Sequence, residues 1–194
     1  MKFNFYSDPF PYIIIDETFD GEEYPVIWKE ISFHLNKGLT PEEYQGAKID
    51  GKYLTNSKGL ILDQLYSGNY RKLSEILTIC NRKFFNQEIC ETILPHNSYW
   101  RTYYDSTKDI TKLRRYSSGD SYEAHYDSYV HALISTTICP KEDVGGNLFF
   151  PEHDLEVETK DNRTVIFPGW IKHGVTKVLE NDRYAITIFS WCDE

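Results

Sequence analysis

The rhythm of apolar positions changes midway along the chain. Phe10 to Asp16 (FPYIIID) is a short apolar run between prolines and acidic residues, the pattern of a buried strand. Glu22 to Leu35 carries Val26, Ile27, Ile31, Phe33 and Leu35, which predicts a helix. Asn69 to Phe85 sets Leu73, Ile76, Leu77 and Cys80 on one stripe and predicts a second helix. Gln87 to Leu94 predicts a short third. Between them, Asn36 to Gly59 is rich in Gly, Lys, Asn and Thr and reads as a long irregular segment. Segments of that length in a compact domain are usually functional, so it is the candidate lid.

From Ser98 the runs are short and aromatic or β-branched: Tyr99–Tyr104, Lys112–Tyr116, Ala132–Ile138, Leu148–Phe150, Thr164–Phe167 and Tyr184–Trp191. Turn-forming residues separate them, among them Ser118-Gly119-Asp120, Gly145-Gly146-Asn147 and Pro168-Gly169. Strands at this spacing predict a sandwich or barrel. The expected layout is a single domain over 1–194, with a helical, lid-bearing part at 1–97 and a β core at 98–194.

Composition narrows the function. The chain has 194 residues, 40% hydrophobic, with 15 Tyr, 11 Phe and 4 Trp. That suffices for a real core and excludes a disordered composition. The net charge of −9 argues against nucleic acid as partner. The nearest basic run, Lys112-Leu113-Arg114-Arg115, reads as ordinary surface. Four cysteines without CxxC spacing exclude a zinc cluster and fit a reducing, cytoplasmic compartment. No apolar run is long enough to span a membrane.

The chemistry starts at Glu123-Ala124-His125-Tyr126-Asp127. In a strand, His125 and Asp127 share a face, so an imidazole and a carboxylate converge. A second histidine would complete the two-histidine, one-carboxylate set that holds non-haem Fe(II) with open positions. HxD alone is a weak signal. Of His34, His96, His131, His153 and His173, His173 stands out, between the strand Thr164–Phe167 and a further turn and strand. His131 is near enough in sequence to line the same pocket. In Arg183 to Phe189, Arg183, Ala185, Thr187 and Phe189 take one face, while Tyr184, Ile186 and Ile188 take the other and read as core. A charge, a small residue and a hydroxyl suit a pocket for a dicarboxylate, which a guanidinium grips bidentately.

At these residues the sequence resembles the Fe(II)/2-oxoglutarate dioxygenases, in their prolyl-hydroxylase-like branch. Tyr116-xx-Gly119-xx-Tyr122-xx-His125-x-Asp127, Gly145-Gly146-Asn147-Leu148-Phe149-Phe150-Pro151, Phe167-Pro168-Gly169-Trp170 leading to His173-Gly174-Val175, and Arg183 to Phe189 carry the resemblance. It is specific from Tyr116 to Trp191 and general before that. It implies a mainly β fold, a double-stranded β-helix (jelly-roll) core with N-terminal helices packed on one sheet. It implies Fe(II) on His125, Asp127 and His173, the distal 2-oxoglutarate carboxylate on Arg183, and Tyr116, Thr137 and Thr187 beside the cosubstrate. The implied reaction consumes 2-oxoglutarate and O2, with ascorbate in support, and hydroxylates a C–H bond, foremost in a prolyl residue of a peptide or protein. Related halogenases lack the carboxylate, so Asp127 argues for hydroxylation. Collagen-type prolyl 4-hydroxylases commonly carry lysine where Arg183 stands, which weighs against a collagen-like substrate. The competing expectations are a cupin-like metal-binding jelly-roll, a peptide-binding module, and a hydroxylase of a free amino acid or other small molecule.

Overall fold

The computed structural model describes residues 1–36, 47–141 and 144–192. Two antiparallel sheets face each other. The strands of the larger are β1 (Lys2–Tyr6), β2 (Tyr12–Asp16), β5 (Lys58–Ile61), β6 (Lys108–Tyr116), β8 (Ala132–Ile138), β11 (Arg163–Phe167) and β13 (Arg183–Trp191), in the order β1-β2-β11-β8-β13-β6-β5. The smaller has β7 (Tyr122–His125), β9 (Leu148–Phe150), β10 (Leu155–Val157) and β12 (His173–Val175), in the order β10-β9-β12-β7. A separate hairpin of β3 (Lys48–Ile49) and β4 (Lys52–Tyr53) precedes β5 in the chain. It turns on Asp50-Gly51, both at positive φ, the dipeptide such hairpins favour. This is the expected mainly β jelly-roll with flanking helices.

Side-chain alternation sorts the large sheet into two faces. Ile13, Ile15, Ile134, Ile166, Ile186 and Ile188 form the core toward α1 (Glu23–Asn36), α2 (Leu62–Leu65), α3 (Glu75–Phe84) and α4 (Gln87–Ile93). Each such buried side chain contributes roughly 1.5–3 kcal/mol. The opposite face gives Leu133, Val165 and Phe167 to a second core between the sheets, with Leu148 and Phe150 of β9.

Three expectations change. Tyr99–Tyr104 is helical: a 3-10 turn over Ser98–Trp100 runs into α5 (Arg101–Tyr104). Asn97 caps it, its Oδ1 accepting from the Tyr99 N–H at 2.9 Å, and Trp100 and Tyr103 bury one helical face. The Asn69–Phe85 helix is two elements, a 3-10 turn over Gly68–Leu73 and then α3. Ser74 separates them, its hydroxyl accepting from Leu77 N–H at 3.1 Å and donating to Glu30 at 2.7 Å. Leu73, expected on the buried stripe, is exposed in consequence. Within the candidate lid, residues 37–46 lie outside the described residues. From 47 on it is not irregular: it forms the hairpin and β5, which pairs with β6.

Candidate active site

β7 and β12 pair antiparallel with His173 directly opposite His125, which sets their rings 4.7 Å apart between centroids. Gly174 permits this pairing, because a Cβ there would stand 2.6 Å from the Phe149 ring and 2.7 Å from the Tyr122 carbonyl oxygen. Asp127 does not reach the histidines by strand alternation, since β7 ends at His125. A turn delivers it. Its N–H donates to the Gly169 carbonyl at 2.8 Å, and its carbonyl accepts from Val130 N–H at 2.9 Å. Gly169 must lack a side chain for the two segments to lie so close. The Pro-Gly turn therefore aims the carboxylate as well as leading to His173.

Asp127 Oδ2 lies 3.9 Å from His125 Nε2 and 3.6 Å from His173 Nε2. Each residue offers one ligand atom, all within 4.8 Å of one another. Each Nδ1 faces a backbone carbonyl oxygen at 2.9 Å, Glu123 for His125 and Ile171 for His173. A carbonyl only accepts, so Nδ1 holds the proton and Nε2 turns a lone pair inward, as a metal-binding imidazole requires. Burial, and then His125, push the His173 imidazole down to about 3, so it is neutral and free to ligate. Burial raises the Asp127 carboxyl above its ordinary value, opposed by His125 and Lys112. A divalent cation would outweigh that burial and hold it ionised. The residues present fit a divalent metal with two nitrogen ligands and one oxygen ligand.

The trio opens onto a cavity of about 190 Å³ between the sheets. Arg183, the first residue of β13, lines its far side and is 3% exposed. Its Nη2 donates to Thr137 Oγ1 at 3.0 Å, and its guanidinium lies 5.1 Å from the Tyr116 ring centroid. Nε and Nη1 are buried and have no partner among the described residues. Uncompensated donors on a buried guanidinium are costly unless an anion takes them. Gly146, at φ +71°, gives the side chain its room, since a Cβ there would stand 2.8 Å from Arg183 Cδ. Ala185, Thr187 and Phe189 share the Arg183 face and line the cavity, as the alternation along β13 predicts. Thr137 backs the guanidinium. His131 does not line the cavity; its carbonyl accepts from Tyr99 Oη and its N–H donates to Ser190. Of the other histidines, His34 pairs with Glu30, His96 stacks on Phe5 and His153 packs on Phe10.

The basic run read as surface is instead the middle of β6. Leu113 and Arg114 are buried, and Lys112, Arg114 and Tyr116 line the cavity. In register, Tyr116 sits beside Arg183, Arg114 beside Ala185 and Lys112 beside Thr187. Arg114 Nη1 donates to Ser57 Oγ at 3.0 Å, and its guanidinium lies 5.4 Å from the Tyr122 ring centroid. Period-two spacing of Lys112, Arg114 and Tyr116 was the signal for this face. Tyr122 was also missed as a site residue. Its ring stacks on His125 at 4.2 Å, its hydroxyl accepts from Ala47 N–H at 2.8 Å, and burial pushes that hydroxyl up to about 12. The Leu54 carbonyl accepts from Glu123 N–H at 2.8 Å. Residues 47–55 are thus fastened to the strand that carries His125.

Residues 111–191 match the model of the 2OG-Fe(II) oxygenase superfamily. Among solved structures, the chain is similar to a viral collagen prolyl hydroxylase from Paramecium Bursaria Chlorella virus-1, solved with 2OG. The TM-score is 0.65 at 15% identity, covering 94% of this chain and 96% of that one. It is similar to a Trichoplax adhaerens prolyl hydroxylase solved with a hypoxia inducible factor peptide, with TM-score 0.66, 14% identity and coverage of 93% and 83%. A prolyl-4-hydroxylase from Pseudomonas putida gives 0.57, 14%, 94% and 93%. At these identities the likeness is one of fold. Among curated proteins no sequence match was found. The matched segment holds the three-residue cluster, and together they support an Fe(II)- and 2-oxoglutarate-dependent dioxygenase. That superfamily uses Fe(II) and 2-oxoglutarate with O2, and the His-Asp-His cluster fits the iron. No helix among the described residues is long and apolar enough to cross a membrane.

Proposed function

We propose that this dioxygenase hydroxylates a prolyl residue in a peptide or protein, with His125, Asp127 and His173 holding Fe(II) and Arg183 holding the distal carboxylate of 2-oxoglutarate. The observation that carries the cosubstrate assignment is the Arg183 guanidinium, buried with two unpartnered donors in the cavity that the three ligands share. Bound there, Fe(II) and 2-oxoglutarate would supply the oxidising chemistry that inserts one oxygen atom of O2 into a substrate C–H bond, the other leaving in succinate as CO2 is released.

The protein's own residues supply position and dryness. The Glu123 and Ile171 carbonyls fix the two imidazoles. Thr137 and Tyr116 hold the guanidinium on its bearing. Tyr116 and Thr187 line the cavity where they would flank the cosubstrate, and Phe167, Leu133 and Val175 line it where they would exclude water. The jelly-roll shared with prolyl hydroxylases supports a prolyl substrate. Support for a chain substrate comes from Tyr126, Tyr129 and Trp170, exposed on the two segments that carry the ligands. Aromatic side chains so placed offer flat apolar contact to a peptide. Unpaired thiols at Cys80, Cys90, Cys139 and Cys192 support the cytoplasm as its compartment.

Anaerobic titration with Fe(II) and then 2-oxoglutarate tests the site, with a weak visible charge-transfer band as the expected result. Absence of that band from folded protein overturns the assignment. Peptides that gain the mass of one oxygen atom at proline, only with 2-oxoglutarate present, would support the substrate class. Gain at another residue rejects it.

A further inference from the structure

The proposed chemistry leaves over two cations of the cavity lining, Arg114, which donates to Ser57, and Lys112. A divalent metal, a dicarboxylate, the Asp127 carboxylate and the Arg183 guanidinium cancel one another's charge. Asp127 is the cavity's only acid among the described residues, and the metal claims it. Lys112 lines the same cavity and makes no hydrogen bond or ion pair among the described residues. Its ammonium lies 4.5 Å from the Phe189 ring centroid, close enough for cation–π attraction to hold it in place. Burial and the neighbouring Arg114 weigh against its charge, and the Asp127 carboxylate, which the metal would claim, favours it. A half-buried lysine that makes no ion pair is unusual in a folded protein. It becomes understandable when an anion arrives with a ligand.

Register separates this position from the cosubstrate. Arg183 and Tyr116 stand side by side at the closed end. Lys112 lies beside Thr187, and the next pair along the same face is Ile110 and Phe189. Exposure rises along β6 in that direction: Tyr116 and Arg114 are buried, and Lys112 and Ile110 are half-buried. The ammonium therefore stands where a substrate enters, away from the guanidinium that takes the dicarboxylate. A neutral prolyl peptide leaves it uncompensated.

Resting on the function proposed above, we infer that Lys112 selects a substrate with a carboxylate close to the reacting residue, in the first place an acidic peptide with Asp or Glu beside the proline. The same carboxylate chemistry could come from a chain terminus or a free amino acid, and the test separates these.

Blocked fluorescent peptides carrying proline flanked by Asp, Asn or Lys, and an N-terminally labelled peptide ending in proline with a free carboxylate, are bound anaerobically to protein loaded with Fe(II) and 2-oxoglutarate, followed by anisotropy with free proline as competitor, and hydroxylation is followed by mass. The Asp peptide should bind about tenfold more tightly than the Asn peptide, the effect of one desolvated charge contact. Lys112→Gln should bring that ratio close to one, and Lys112→Glu should turn it toward the Lys peptide. A preference only for an unblocked C-terminal proline, or for free proline, would assign the carboxylate to a terminus and overturn the acidic-peptide form. A ratio near one in the unaltered protein overturns the inference as a whole. So does a Lys112→Gln protein that loses 2-oxoglutarate affinity but keeps the peptide preference, since Lys112 would then serve the cosubstrate. The charge-transfer band keeps the two readings apart: with the band present and no peptide preference, the inference alone fails.

Discussion

Along β13, neighbouring residues live in different media. Tyr184, Ile186 and Ile188 enter the apolar core under the helices, while Arg183, Ala185 and Thr187 turn into the cavity. One face is closely packed, with its polar backbone paired to β6 and β8 on both edges. The other carries a guanidinium with donors left open. The contrast teaches how a site with unsatisfied groups stays in position. The strand cannot shift toward the cavity without pulling isoleucines out of the core, so packing on one side fixes chemistry on the other.

Substitutions on the two sides should separate function from stability. The largest effect is expected for His173→Ala, which removes a proposed ligand. Iron binding and succinate formation should fall about 10³-fold or more, with circular dichroism unchanged; turnover within tenfold of the parent would break the ligand assignment. Arg183→Met should weaken 2-oxoglutarate binding by about 2–5 kcal/mol, measured by calorimetry. Its thermal midpoint should hold or rise, because a buried charge gives way to an apolar side chain. Ile186→Ala should do the reverse, costing about 2–5 kcal/mol in denaturant unfolding while the folded protein keeps its cosubstrate affinity. If both substitutions cost stability and affinity alike, the two faces are not independent. Ser74→Ala, remote from the cavity, should cost about 1 kcal/mol through the lost helix cap, with the peptide preference unmoved.

The β13 alternation was legible in the sequence because period two is local: each residue's side follows from its neighbours. The runs that became β2, β6, β8, β9 and β11 were legible for the same reason, and His125, His173 and Arg183 stood out against them. Lys112 and Arg114 were not. A cluster of like charges reads as solvated surface until β6 is known to lie beside β13, and that pairing joins distant parts of the chain. Asp127 was chosen for the wrong reason, since the contact with Gly169 that aims it is also long-range. Trp100 and Tyr103 suggested a strand by composition, yet their spacing buries one side of a helical turn. At Ser74 the helix boundary depends on Glu30, a partner from another helix. β1 was overlooked although Phe3 and Phe5 alternate with polar residues, because an edge strand this short offers little else to read.

The close packing of Arg183 has a consequence for which oxo acids the proposed enzyme would use. Thr137 grips the guanidinium, Tyr116 lies beside it, and the close fit at Gly146 leaves its stem no slack. Under the proposed function, an acid anchored to the metal at one end would have to reach that fixed point with the other. The pocket then works as a calliper set to one chain length. Oxaloacetate, a methylene shorter, would fall short of it, and 2-oxoadipate, a methylene longer, would have to buckle.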